Sequence, residues 1–162
     1  MSGPNPTDRG KSGTKRSVHT DGGGIPHTDG GGIPIGITVA GANRPDMTLL
    51  AATLQATVIP RPTPSAAHPQ HLCRDAGYDN HPCRETVAEA GYIAHIRSRS
   101  DEHHAKQHTP GYQARRWVVE RALSWINRFR KVLICFEKLT PTHYALLCLA
   151  CAYIALKRAD LI

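Results

Sequence analysis

The sequence predicts an α/β fold, on three observations. Short β-branched runs alternate with helical patterns, proline and glycine mark nearly every change between them, and the strongest helical patterns come last. A chain of 162 residues is long enough for one domain with a single core. Strands separated by helices return by crossover, so parallel pairing is expected after the first hairpin.

Residues 1–17, rich in Gly, Pro, Ser and Lys, show no periodicity and are expected to be a flexible segment ahead of a folded domain over 18–162. From His19 to Pro34 the octapeptide "HTDGGGIP" occurs twice without change. "IGITVAGA", Ile35 to Ala42, has the alternation of a strand. Asp46 is placed to cap a helix that puts Met47, Leu50, Ala51 and Leu54 on one face. Four prolines between Pro60 and Gln70 make a connector. "HLCRD" is a short strand ending at Asp75; Asn80 or Asp79 caps a helix with Pro82 in its first turn, which Gly91 stops. "YIAHIRS" is another strand, Ser98 to Gly111 a polar loop, and a long helix runs from about Gln113 to Lys131. A last apolar helix follows Pro141.

Twenty Lys and Arg against thirteen Asp and Glu leave a formal charge of +7, which favours a polyanionic partner, nucleic acid before membrane. Nothing resembles a signal peptide, so a cytoplasmic, nucleoid-associated protein is expected. The apolar run Tyr144 to Leu156 is too short to span a bilayer. Five irregularly spaced cysteines read as free thiols. Cys148 and Cys151 read as core side chains, since a zinc site with Cys73, His81 and Cys83 lacks the usual short clips, and His103, His104 and His108 read as part of the polar loop.

Two carboxylates carry the candidate chemistry. Asp75 closes a strand, where α/β folds keep their sites. Glu120 shares the polar stripe of the long helix with Arg116, Ser124, Asn127 and Arg128, opposite Val119, Ala122, Leu123, Ile126 and Phe129. Converging carboxylates hold hard divalent ions that serve in-line attack on a phosphodiester. On residue types alone, Asp75 is equally a turn residue, and Glu120 equally a surface partner of Arg116.

"GPNPTDRGK", "GANRPD", "RDAGYD" and above all "RRWVVERALSWINRFRKV" resemble successive landmarks of bacterial insertion-sequence transposases of the DDE class, the insertion sequence 5 group. The resemblance covers the chain from Gly3 to Arg158. It implies a ribonuclease H-like fold and DNA transposition through metal-dependent strand cleavage and strand transfer. Mg²⁺ or Mn²⁺ is the implied cofactor, with two ions in the complete site, and the implied partners are DNA at element ends and target and another transposase chain, with no membrane. It maps the second catalytic aspartate onto Asp75 and the catalytic glutamate onto Glu120, as metal ligands that approach each other at the sheet edge. Arg116, Arg121 and Lys131 become candidate DNA-phosphate contacts.

The family's first aspartate lies on a central strand upstream of "GPNPTDRGK". Neither Asp8, in a segment without strand pattern, nor Asp46, at a helix start, replaces it. The expectation is therefore a domain truncated at its amino end and lacking that strand, with poor metal occupancy and no activity alone. The alternatives are a non-catalytic DNA-binding or interfering fragment and the decayed product of an element. Where the family has one hairpin turn, this chain has the doubled octapeptide, which reads as a short duplication placed at a hairpin tip far from both carboxylates.

Overall fold

The computed structural model describes residues 2–22, 31–96, 104, 107, 108 and 116–162, with side chains of the last span from Val118 onward. The chain divides into two compact units, Met1–Ile59 with Val118–Ile162, and Pro60–Trp117. Both mix helices with strands, as the sequence predicts.

The first unit contains β1 (Gly3–Pro4), β2 (Ser12–Thr20) and β3 (Pro34–Gly41), antiparallel in the order β1-β2-β3. The strand over Ser12–Thr20 corrects the expectation of a flexible segment to residue 17. Its residues alternate weakly by type, yet Lys15 to Val18 pair with Ala40 to Ile37, and Ser17 and Val18 are both buried. Each face of this sheet is covered, so the polar-out pattern that marks a half-exposed strand does not develop.

On one face lies α1 (Leu50–Gln55). Its Thr53 hydroxyl sits 2.8 Å from the hydroxyls of Ser17 and Thr38 and 2.6 Å from the Leu49 carbonyl, satisfying a buried polar cluster. The His19 Nδ1 lies 3.0 Å from the Thr57 hydroxyl. A Cβ on Gly36 would come within 2.9 Å of the Thr53 carbonyl oxygen, so this close packing admits only glycine. Asp46 does not cap the helix. A 3-10 turn over Asp46–Leu49 precedes it, Pro45 holds the cap position, and the Asp46 carboxylate pairs with Lys15 at 3.2 Å.

The other face carries the main core. It is built from α3 (Arg116–Asn127), α4 (Arg130–Leu133) and α5 (Thr140–Arg158); α2 belongs to the second unit. Val18 and Ile37 meet Ile126, Val132, Leu147, Ala150, Cys151 and Ile154. The single helix expected to run to Lys131 is broken at Phe129, whose backbone is extended (φ −85, ψ 103). No glycine or proline announces the break. It lets the Phe129 ring meet Tyr153 edge-on at 5.7 Å while Val132 turns into the core.

The second unit is a strand-helix-strand unit. Strands β4 (His71–Arg74) and β5 (Ile93–Ile96) pair in parallel, with α2 (His81–Glu89) between them in sequence. The Asn80 side chain accepts the Cys83 N–H at 3.0 Å, and Gly91, at φ 73, ends the helix as expected. Arg61 donates to the carbonyls of Ala90 and Gly91 and lies 3.7 Å over the Tyr92 ring, tying the proline-rich connector to the helix end.

The doubled octapeptide explains its own tolerance. Asp21 N–H donates to Ile33 and Gly32 N–H to Asp21, so the first copy supplies the β2 side of the hairpin and the second copy the β3 side. Removing His27 to Pro34 puts Gly24, Ile25 and Pro26 where Gly32, Ile33 and Pro34 stand. The connection between the paired residues then shrinks to Gly22-Gly23, a two-residue hairpin loop that glycine suits. Every paired residue type is kept. Thermal unfolding of this deletion variant should show stability unchanged or raised by up to about 1 kcal/mol, from the shorter loop; a clear loss would mean that residues 23–30 pack against the body of the protein. In contrast, Leu147→Ala, at a side chain with no exposed surface, should cost about 3 kcal/mol in urea unfolding.

Candidate catalytic carboxylates and basic surface

Asp75 follows β4 directly, with extended backbone (φ −79, ψ 172), and caps a 3-10 turn over Ala76–Tyr78. One carboxylate oxygen accepts the Gly77 N–H at 3.1 Å. Asp75 is therefore both a strand-end carboxylate and a turn residue, and the turn holds its side chain at the exposed end of the strand. A Cβ on Gly77 would lie 3.2 Å from the same oxygen, tight enough to push on it. Beside it, Arg74 is largely buried, with its guanidinium 5.3 Å from the Tyr78 ring centre. Burial lowers the Arg74 pKa, while Tyr78 and Asp75 favour its charge.

Glu120 is exposed on α3, between the buried Val118 and Ala122. Ala122 and Ile126 of the expected apolar stripe are buried and Leu123 and Phe129 pack against the core, while Val118 rather than Val119 is the buried valine. Arg121 is half-buried, its guanidinium 5.3 Å from the Trp125 ring, and Arg158 from the end of α5 lies 5.4 Å from the same ring. The Arg158 contact gives Trp125 a structural role between α3 and α5, and Arg121 adds a contact within α3. The side chain of Arg116, and with it any pairing to Glu120, lies outside the described residues. Lys131 is exposed on α4.

The expected tip of the doubled segment, residues 23–30, lies outside the described residues, while its last residues approach the helix that carries Glu120. Gly32, at φ 91, packs so closely on α3 that a Cβ there would lie 2.9 Å from the Val118 carbonyl and 3.6 Å from Arg121, on either side of Glu120 in sequence. At the same hairpin end Asp21 is buried. Its place inside a glycine-rich repeat hid it from sequence reasoning, which read the whole segment as a loop. Asp8 lies in an exposed turn with Lys11 at 3.6 Å.

Asp75 belongs to the second unit and Glu120 to the first. Each is placed by its own unit, and their approach is not among the contacts within either. Among the described residues no three His, Cys, Asp or Glu side chains gather to hold a metal ion. All five cysteines are free thiols; Cys73 and Cys135 are exposed, and burial pushes Cys151 up to about 11. His71 and His95 face each other across β4 and β5, Nδ1 to Nε2, at 2.7 Å. No helix among the described residues is long and apolar enough to cross a membrane.

Residues 72–157 match the family described as the transposase DDE domain. That span includes both Asp75 and Glu120. The chain is also 35% identical, over 165 aligned positions, to a protein assigned as the transposase for insertion sequence element IS402 of Burkholderia cepacia. That alignment covers 98% of this chain and 71% of the relative. No solved structure matches the chain at a significant level. A strand-end aspartate, a helix-borne glutamate and the DDE match over the span that joins them lead to one assignment: the chain belongs to the DDE transposases of insertion-sequence elements.

Proposed function

We propose that Asp75 and Glu120 are two of the metal-binding carboxylates of a ribonuclease H-like transposase centre. The supporting observation is that the family match spans both residues, while each is exposed and fixed to a rigid element, Asp75 by the turn that follows β4 and Glu120 by the packed helix α3.

DDE transposases act on DNA with divalent metal ions. Carboxylate oxygens are hard donors, so the donor set fits Mg²⁺ or Mn²⁺, and we propose two ions. When bound, the metal stabilises the charge that builds on the scissile phosphate and makes the attacking oxygen more nucleophilic. The chain's own residues do the rest. Asp75, held through the Gly77 N–H, presents its carboxylate at the exposed end of the strand. Glu120 is aimed by the buried stripe Val118, Ala122 and Ile126. Lys131, Arg116 and Arg121 are proposed to meet backbone phosphates; the cation–π contact of Arg121 orients its guanidinium. A second transposase chain and residence on the nucleoid belong to the same proposal.

The family match favours transposition over a non-catalytic binding fragment. In a mobility assay with an upstream segment that supplies the first aspartate and its strand, Asp75→Ala and Glu120→Ala should each reduce transposition to background while the protein stays folded and still binds DNA. Retained transposition in Glu120→Ala would remove that residue from the catalytic set. Lys131→Ala should weaken binding to all duplexes alike and lower the slope of log affinity against log salt by about one.

A further inference from the structure

We propose that the outward face of α5, with the apolar groove beside it, is the surface on which a second copy of this chain docks, antiparallel and with two-fold symmetry. The inference deepens the reading of a second transposase chain. It uses neither Asp75 nor Glu120, so it stands or falls apart from the catalytic assignment.

α5 has two apolar faces. Leu147, Ala150, Cys151 and Ile154 turn into the core. On the other side Ala145, Leu149, Ala152 and Leu156 follow one another at intervals of four, three and four residues, and all are exposed, Leu149 by 68%. That is the spacing of a helix-pairing seam, not of scattered surface leucines. Along its flank runs an open groove of about 240 Å³, walled by Ile35, Val58, Tyr144, Cys148, Ala152 and Ala155. The Tyr144 hydroxyl donates to the Ile37 carbonyl at 3.2 Å, which fixes its ring on the strand side of the groove.

Projecting leucines and a groove on one helix make this face complementary to itself, and that selects the occupant. With the two-fold axis at Ala152, antiparallel pairing sets Leu149 opposite Ala155 of the second copy and Leu156 opposite Cys148 of the second copy, both groove residues. Each large side chain then meets a small one, and Ala152 on the axis lets the helices approach closely. Charge agrees with this arrangement. The chain carries +7, yet Thr140 to Leu156 contains no Asp, Glu, Lys or Arg, so two cationic chains meet here without like-charge repulsion. Parallel pairing would bring the two basic ends, Lys157 and Arg158, together. The exposed side chains of Val58, Tyr144, Ala145, Leu149, Ala152 and Leu156 offer roughly 600 Å² per chain, so the pair would bury about 1,200 Å², the lower end of stable specific interfaces.

The test is sedimentation equilibrium of the full, DNA-free chain, with helix content followed by circular dichroism. The proposal expects a dimer, with Leu149→Lys and Val58→Lys, both at exposed positions, each weakening dimerisation about tenfold or more at unchanged helix content. Oxidative cross-linking reads the direction. With Cys73 and Cys135 replaced by Ser, Ala152→Cys on the axis should link the two copies, and Leu149→Cys, opposite an alanine, should not. Leu149→Cys linking as readily as Ala152→Cys would overturn the antiparallel arrangement. A monomer at about 100 µM, or a dimer indifferent to both lysine variants, would overturn the surface and leave the transposase assignment standing. Unfolding of Leu149→Lys with no link through Ala152→Cys would show the face to be covered within the chain, and would overturn the proposal as well.

Discussion

Ile126 and Leu147 are both fully buried, and where they meet beneath Val18 and Ile37 the first unit is locked together. A helix pair this tightly packed against a sheet leaves α3 little freedom to rotate. The rest of the helix follows from that constraint: Val118 and Ala122 must face inward, so Glu120 must face outward. Trp125 extends the lock sideways, with Arg121 from its own helix and Arg158 from α5 each near its ring. Trp125, within the helical landmark of the sequence, thus serves to hold the helix that carries the glutamate.

Asp75 depends on a smaller device. The turn after β4 needs a side-chain oxygen to satisfy the Gly77 N–H, and an aspartate at this position supplies it. That requirement alone would be met by asparagine as well. The buried Arg74 next to it gives the carboxylate charge a further role, because a desolvated guanidinium without a neighbouring negative charge is costly. A structural need and a chemical one therefore coincide at one residue, which is why residue type and spacing could not separate them before the family landmarks were considered.

The elements legible in the sequence are those governed by local chemistry. Asn80 and Gly91 bracket α2 through a side-chain cap and a left-handed backbone, and both signals act within a few residues. The elements that escaped are set by distant contacts. Ser12 to Thr20 form a strand because α1 and the α3–α5 pair cover its two faces, from parts of the chain far along in sequence. The break at Phe129 arises from an aromatic contact with Tyr153. Asp46 lost its expected capping role to Lys15, a partner on another strand. The candidate site divides in the same way. Asp75 and Glu120 were legible as residues with chemical promise, while the buried Asp21 was not, because only the folded chain shows that it is enclosed.

The doubled octapeptide shows how a hairpin can accommodate a repeat. A duplication inside a hairpin is tolerated when both flanks can keep their partners, and here Asp21 still meets Gly32 and Ile33 because the second copy repeats the residues the first would have used. The identity of the copies therefore preserves the register, and a longer connection costs little because loop-closure entropy grows slowly with length. A duplication of any other length would be held to the same rule. It survives if the residues entering β3 remain Gly, Ile and Pro in that order, since Gly32 must pass close to the Val118 carbonyl and Ile33 must be buried. The constraint on the insertion thus acts at the helix that carries Glu120, through the close seat of Gly32 on the Val118 carbonyl.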